Sequence, residues 1–359
     1  MRGAVLRSVD GLIEVRDDVE TVGPGPGEVL IRTGAAGVCH SDLSAMRGGL
    51  PQPMPAILGH EAAGEVIAAG EGVTGLAPGD RVIASWLPPC GACSSCRRGQ
   101  PHLCSVHMMT AFTRPRFRLG DTPVFGMAGC GAFAERMVVP ADGAVKIAGD
   151  VPFEVAALIG CGVMTGVGAV INTARVEPGA TVAVVGCGGV GISVIQGARL
   201  SGAAVIAAID THEAKHEVAR RFGATHAAHP DALPDLAAQA TGGEGFDYAF
   251  EVVGLPQTIR TAWSAARRGG LVVIVGAGRA DATVEFTPFE LLFDGKQMAA
   301  SLYGSADVRR DYHRLLGLWR AGRLDLEGMI TRRITLDDVP GALEALGSGE
   351  VVRQVVSYG

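Results

Sequence analysis

The sequence predicts an α/β protein of two domains: an irregular, mainly β first domain and a second built on a doubly wound parallel sheet. Three observations lead there. The chain has 359 residues, room for two ordinary domains, and is 48% hydrophobic against 19% charged, enough for a sizeable core. Its first 160 residues are short apolar runs broken by Gly and Pro, the pattern of short strands and turns. Beyond Glu177-Pro178-Gly179, strand-like runs alternate with helix-length sequence, which implies a parallel sheet with helices on both faces.

In the first part, the turn-rich Gly23-Pro24-Gly25-Pro26-Gly27 leads into Val29-Leu30-Ile31 and then a glycine-rich turn. Glu65-Val66-Ile67, Arg81-Val82-Ile83 and Met137-Val138-Val139 continue the short strands. In the second part, Thr181 to Val185 reads as a strand, Ile192 to Leu200 as a helix and Ala204 to Ile209 as a strand, with further strands at Asp247 to Val253 and Leu271 to Val275. Near the end, Arg309 to Ala321 reads as a helix, Ile330 to Thr335 as a strand and Leu336 to Leu346 as a helix. Periodicity does not say which domain these last elements join.

Composition removes several function classes. Lys and Arg total 31 against 37 Asp and Glu, for a net charge of −6, so the basic face that nucleic-acid binding needs is missing. Charge recurs at Arg7 and Asp10, which leaves no apolar signal-peptide region. The longest uncharged stretch, Pro178 to Ala198, carries Gly179, Gly186, Gly188, Gly189, Gly191 and Gly197, which suits a phosphate-binding turn better than a membrane span. A cytoplasmic protein without nucleic-acid or membrane partners is expected. The eight cysteines then read as metal ligands, nucleophiles or buried thiols rather than as a disulfide framework.

Gly186, Gly188 and Gly191 form a Gly-x-Gly-x-x-Gly pattern directly after a strand and before a helix. Such glycines let the backbone turn tightly and approach a pyrophosphate held at the helix N-terminus. Asp210 closes the next strand, nineteen residues after Gly191. There its carboxylate would accept the adenosine-ribose hydroxyls and repel a 2′-phosphate, favouring NAD over NADP. Lys215 lies within reach of the same ribose. The plainer reading is a glycine-rich turn with Asp210 as a helix cap.

Cys90, Cys93, Cys96 and Cys104 stand close enough in sequence to surround one ion. Four soft ligands with no open position suit a structural zinc; an iron–sulfur cluster and core or redox thiols are the other readings. Cys39, His60 and Cys161, with Glu61 beside the histidine, supply two thiolates and an imidazole, the ligand count of a catalytic zinc with a fourth position open. Each of them alone is more often a buried thiol or a hydrogen-bonding histidine.

Gly59-His60-Glu61 followed by Ala-Ala-Gly-Glu-Val, Val38-Cys39-His40-Ser41-Asp42, the four-cysteine lobe, Gly160-Cys161-Gly162-Val163-Met164-Thr165-Gly166 and the glycine turn occur in one order over essentially the whole chain. Together they resemble the zinc-dependent medium-chain alcohol dehydrogenase family. The long stretch between Cys104 and Cys130 is similar to the dimeric class I and class III subgroup. The surroundings of Cys161 to Gly191 are similar to bacterial thiol-dependent formaldehyde dehydrogenases.

That resemblance implies a GroES-like catalytic zinc-binding domain of residues 1–162 and 303–359. It implies a Rossmann NAD-binding domain of residues 163–302, with the active site in the cleft between them. It further implies two Zn(II) per chain, a homodimer and a small alcohol or aldehyde substrate. A site of two thiolates, a neutral imidazole and Zn(II) is formally uncharged and makes a bound alcohol more acidic.

By the same resemblance, Glu61 is a carboxylate that ligates zinc transiently and Asp42 orients the zinc histidine. Ser41 passes the substrate proton onward; many members place a histidine three positions later as its outlet, where this chain has Ser44. His40 and Arg353, the latter in Ser-Gly-Glu-Val-Val-Arg, match residues near the coenzyme phosphates. Thr165, Gly189, Val190 and Val275 match dinucleotide contacts, and Trp86 a wall of the substrate pocket.

Met108, Met109, Phe112 and Phe117 read as core rather than pocket rim. Arg114-Pro-Arg116-Phe-Arg118 reads as a solvated face, or else as an attractor for an anionic substrate. Cys130 and Cys187 read as buried thiols. The expected activity is NAD-dependent oxidation of a primary or aryl alcohol. The alternatives are a formaldehyde dehydrogenase acting on a mycothiol or glutathione adduct, and a biosynthetic carbonyl reductase. A fold relative without chemistry would have lost Cys39, Ser41, His60 or Cys161, and all four are present.

Overall fold

The strand Glu28–Val38 is the spine of the first part of the chain in a computed structural model that describes residues 1–346 and 351–359. One of its edges pairs with Glu61–Ala69. The other edge is shared end to end: Arg136–Pro140 takes residues 28–32, and Arg353–Ser357 takes residues 35–38. The turn expected after Ile31 is therefore not formed, and the glycines there serve packing instead. A side chain on Gly34 would strike the Phe153 ring, and one on Gly37 would strike the Glu61 carboxylate. Among the described residues this sheet has seven strands. A second sheet of six runs from Ile13–Arg16 through Gly3–Leu6, Ala56–Ile57, Thr122–Gly126 and Phe117–Leu119 to Val19–Thr21. Val29, Ile31, Val66, Phe133 and Met137 fill the core.

The chain separates into two units, Met1–Gly162 with Asp307–Gly359, and Val163–Ala306. The helices Val308–Arg320 and Val339–Leu346 and the strands Ile330–Ile334 and Arg353–Ser357 all belong to the first unit. The return falls after Ala306, later than residue 302. The reason is that Thr173 bonds both Ser301 and Ser305 at 2.8 Å, and Asn172 donates to the Gly304 carbonyl at 3.1 Å. Of the motif that carries Arg353, residues 348–350 lie outside the described residues.

The second unit is a six-stranded parallel sheet. Its order is His226–Ala228, Val205–Ile209, Thr181–Val185, Phe246–Glu251, Ala266–Ile274 and Gln297–Ala300. Numbered by appearance this is 3-2-1-4-5-6, the doubly wound arrangement, with its order reversing between Thr181–Val185 and Phe246–Glu251. Pro178 to Ala198 contains a strand, the glycine turn and most of the helix Gly189–Leu200, so it forms no span. The helical run Phe153–Ala174 is long and apolar enough to cross a bilayer, and 83% of its most apolar window is buried in the protein.

Two of the apolar and basic readings need correction. Phe117 is core, but Met108, Met109 and Phe112 sit on the outer face of the helix Ser105–Thr113, with Met109 60% exposed. The arginine run is solvated only in part, since Arg114 and Arg118 are exposed and Arg116 is not. Arg116 is only 2% exposed and donates to Glu28 at 2.6 Å, while Arg114 donates to the same carboxylate oxygen at 2.8 Å. Burial pushes the Glu28 carboxyl up, but Arg116, the Gly25 N–H and Arg114 outweigh it and hold the group below its ordinary value. Its stabilising contribution is therefore present above the ordinary carboxylate pKa and lost as pH falls through the depressed one. Glu28→Gln leaves the Arg116 charge buried without a counter-charge and is expected to cost about 3 kcal/mol. Urea unfolding near neutral pH checks this, and the deficit should shrink in acid.

Candidate active site and metal centres

Three chain segments converge on one buried cluster in the first unit. Cys39 follows the strand Glu28–Val38 and caps the helix His40–Met46. His60 and Glu61 open the strand Glu61–Ala69, and Cys161 lies in the π-helical turn Ile159–Val163. The ligand atoms of Cys39, His60, Glu61 and Cys161 all lie within 4.8 Å of one another, and all four residues are buried. Asp42 stands behind them. Its carboxylate accepts the N–H groups of Cys39 and Gly59, each at 2.9 Å, and lies 3.1 Å from His60 Nδ1. That fixes the ring and leaves Nε2 for a metal.

Arg353, fully inside the protein, donates to Glu61 Oε1 at 3.0 Å. A side chain on Gly162 would run into its guanidinium, so the glycine after Cys161 is what gives the arginine its place. Burial pushes the Glu61 carboxyl up to about 7 despite Arg353. Hydrogen bonding from the Cys161 thiol, aided by His60, holds Cys39 well below its ordinary value against burial. Glu61 Oε2 is buried without a partner. Two sulfurs, an imidazole nitrogen and an orphaned carboxylate oxygen within 4.8 Å fit Zn(II). The Glu61–Arg353 pair has no sequence signal, because nothing local links residues 292 positions apart.

Around the cluster, Ser41 Oγ lies 3.8 Å from Cys39 Sγ, and the Trp86 ring meets His60 edge-on with centroids 6.3 Å apart. His40 is exposed at the first position of its helix. The second cluster, Cys90, Cys93, Cys96 and Cys104, also has its sulfurs within 4.8 Å. The sulfurs of Cys90 and Cys93 accept the N–H groups of Cys93 and Cys96 at 3.3 and 3.5 Å, and Cys104 Sγ accepts the Cys90 N–H at 3.4 Å. The Cys96 N–H brings the Cys93 thiol down to about 6. Four sulfurs with peptide N–H support fit a structural zinc.

In the second unit, Gly186 has φ +100°, and its missing side chain leaves room for Val253. A side chain on Gly191 would strike the Gly186 carbonyl, whereas no atom lies within 4 Å of where one on Gly188 would stand. The open face at Gly188, at the start of the helix Gly189–Leu200, has the room that a phosphate cradle needs. Asp210 accepts the N–H groups of Cys187 at 2.8 Å and His212 at 3.0 Å, with Lys215 Nζ at 3.4 Å. Burial raises its carboxyl, but these donors hold it below its ordinary value. Thr165, Val190 and Val275 are half-buried in the same unit, and Cys130 and Cys187 are buried.

The two clusters have separable roles. Cys161→Ser should lower bound zinc from about two to about one per chain while leaving the unfolding temperature nearly unchanged. Cys104→Ser should remove a similar amount of metal and lower the unfolding temperature by several degrees, on the order of the loss of a structural metal. Elemental analysis and thermal unfolding of both variants check this.

Residues 25–149 match the alcohol dehydrogenase GroES-like domain, and residues 189–319 match the zinc-binding dehydrogenase domain. The chain is 35% identical to the S-(hydroxymethyl)glutathione dehydrogenase of Paracoccus denitrificans, over 99% of each chain. It superposes with a TM-score of 0.93 on benzyl alcohol dehydrogenase of Acinetobacter calcoaceticus, at 28% identity over 100% of this chain and 99% of that one. With acetophenone reductase of Geotrichum candidum in complex with NAD, the TM-score is 0.82 and the identity 27%, over 99% of this chain and 96% of the other. The chain belongs to the zinc-dependent medium-chain alcohol dehydrogenase family, with its GroES-like domain and Rossmann domain.

Proposed function

We propose that this protein interconverts a primary or aryl alcohol and its aldehyde by passing a hydride to and from NAD. The observation that carries the reading is the buried donor set Cys39, His60 and Cys161, with Asp42 fixing His60. Zn(II) held there by Cys39, His60 and Cys161 supplies Lewis acidity, which eases loss of the alcohol proton and polarises the aldehyde in reverse. Glu61 stands by as the transient fourth ligand. Ser41, beside Cys39, takes the substrate proton at Oγ, and Ser44 rather than a histidine follows on the same helix. Trp86, whose ring meets His60 edge-on, would wall the substrate pocket. Cys90, Cys93, Cys96 and Cys104 hold the second, structural zinc.

The first unit is the catalytic domain and the second the NAD-binding domain. There Gly186, Gly188, Gly189, Val190 and Gly191 take the pyrophosphate, and Asp210 with Lys215 takes the adenosine ribose. Thr165 and Val275 border the nicotinamide, while His40 and Arg353 serve the coenzyme phosphates. Asp210, ionised and buried, is the feature that disfavours a 2′-phosphate. With eight free cysteines, most of them assigned to metal, the protein suits the reducing cytoplasm.

A second reading, oxidation of a thiol–formaldehyde adduct, draws on the likeness to the Paracoccus enzyme. Such an adduct brings carboxylates that need a basic partner; Arg114 and Arg116 are committed to Glu28, and Arg118 of the same run is exposed.

A homodimer is supported by the outer edge of the second unit. The strand Gln297–Ala300 ends the sheet with one side unpaired. Next to it Phe289, Leu292 and Phe293 are 71%, 75% and 54% exposed. Their segment is pinned on its inner side by Arg260 on Glu290 and by Lys296 Nζ on the Trp263 carbonyl at 2.8 Å. An unpaired strand flanked by apolar side chains is self-complementary across a two-fold axis.

Two measurements test these assignments. NADH formation at 340 nm on a panel of aliphatic and benzylic alcohols is expected from protein with two zinc ions; turnover solely of formaldehyde plus thiol moves the assignment to the second reading, and silence from all substrates in both directions overturns it. Leu292→Glu combined with Phe293→Glu is expected to halve the mass seen by light scattering, and an unchanged mass removes this edge as the dimer face.

A further inference from the structure

Glu251 ends the strand Phe246–Glu251 and is completely buried. It is level with Val185 on one neighbouring strand and with Ile274 on the other. This places it at the C-terminal edge of the sheet where strand order reverses, the position at which doubly wound sheets bind their ligands. It lies outside both the glycine turn and Asp210.

Its carboxylate Oε1 gathers three donors: Val253 N–H at 2.8 Å, Gly254 N–H at 2.7 Å and Thr258 Oγ1 at 2.7 Å. Its main-chain carbonyl accepts Val275 N–H at 2.8 Å and Gly276 N–H at 3.0 Å. One residue thus ties the turn after the fourth strand of the unit to the turn after the fifth. The two turns are packed backbone on backbone. Gly254 has φ +89°, and a side chain there would stand 2.6 Å from the Ala277 carbonyl carbon. A side chain on Gly276 would strike Gly254 N, and Val253 stands over Gly186. The second oxygen, Oε2, is buried without a partner. Leaving a buried carboxylate oxygen unpaired is costly, so this stitch is maintained at the expense of stability.

We infer that Glu251 is a positioning residue for the nicotinamide half of the dinucleotide, an inference that rests on the NAD reading of this unit. A doubly wound sheet binds a dinucleotide as two mononucleotide halves across the point of reversal. Gly186, Gly188 and Gly191 take the pyrophosphate that joins the halves, and Asp210 takes the adenosine ribose. Val253 and Val275, held in register by Glu251, border the other half. Glu251 does not touch the ligand and acts through the two turns it joins.

Calorimetric titration of the zinc-loaded protein with NADH and with AMP separates this role from general structural support. In Glu251→Ala, where Val253, Gly254 and Thr258 all lose their acceptor and the two turns lose their register, NADH is expected to bind about tenfold more weakly, while AMP binds as in the wild type. Glu251→Gln, which keeps an acceptor for the three donors, should recover much of the NADH affinity. Equal binding of NADH by wild type and Glu251→Ala overturns the inference, and so does a parallel loss of NADH and AMP, which marks Glu251 as support for the whole sheet. If Glu251→Ala does not fold, Thr258→Val removes one donor and should weaken NADH several-fold but not AMP; unchanged NADH binding then overturns the inference. A wild type that binds neither nucleotide refutes the NAD reading itself.

Discussion

The first unit depends on one strand, Glu28–Val38, and on two places along it where no side chain is permitted. Gly34 gives way to the Phe153 ring and Gly37 to the Glu61 carboxylate. Because of those gaps, the helix that leads to Cys161 and the strand that begins at Glu61 can close in on the end of the spine, where Cys39 waits. The spine's first residue, Glu28, anchors Arg114 and Arg116 at the opposite end. Backbone pairing therefore delivers three donor residues to one point before any metal is present.

Charge then decides how that point is used. Asp42 spends its carboxylate on two peptide N–H groups and one imidazole, so it orients ligands without competing for the ion. Glu61 is shared between Arg353 and the cluster, with one oxygen committed and the other unpaired. A carboxylate half-neutralised in this way can approach a cation and withdraw from it, because either state leaves it one strong partner. The same economy recurs in the second unit, where Glu251 commits one oxygen to three donors and Asp210 is held ionised by N–H groups from two different turns.

Much of this was legible in the sequence, and the parts that were not share a cause. Residues whose role depends on local spacing were readable. The four-cysteine lobe, the glycine turn and Asp210 signal through their neighbours, and strands such as Thr181–Val185 through a continuous apolar run. Cys39, His60 and Cys161 were weak singly and became a set through resemblance to a family. What local pattern cannot carry is partnership at a distance. Gly34 and Gly37 look like a turn unless Phe153 and Glu61 are known to lie above them. Arg116 looks solvated unless Glu28 is known to meet it, and Met109 looks like core because apolar character does not reveal which face of a short helix turns outward. Glu251 gave no signal, since a lone acidic residue closing a strand has many uses.

The shared edge of the spine has a consequence for biosynthesis. Residues 35–38 pair with Arg353–Ser357, and Arg353 completes the surroundings of Glu61, yet some 315 residues separate the two partners. A ribosome adding roughly 5–20 residues per second leaves that edge bare for about 15–60 s. During that interval the entire second unit emerges and has time to fold on its own. The surroundings of Glu61 therefore close only after the second unit has emerged, because Arg353–Ser357 completes an edge begun some 315 residues earlier.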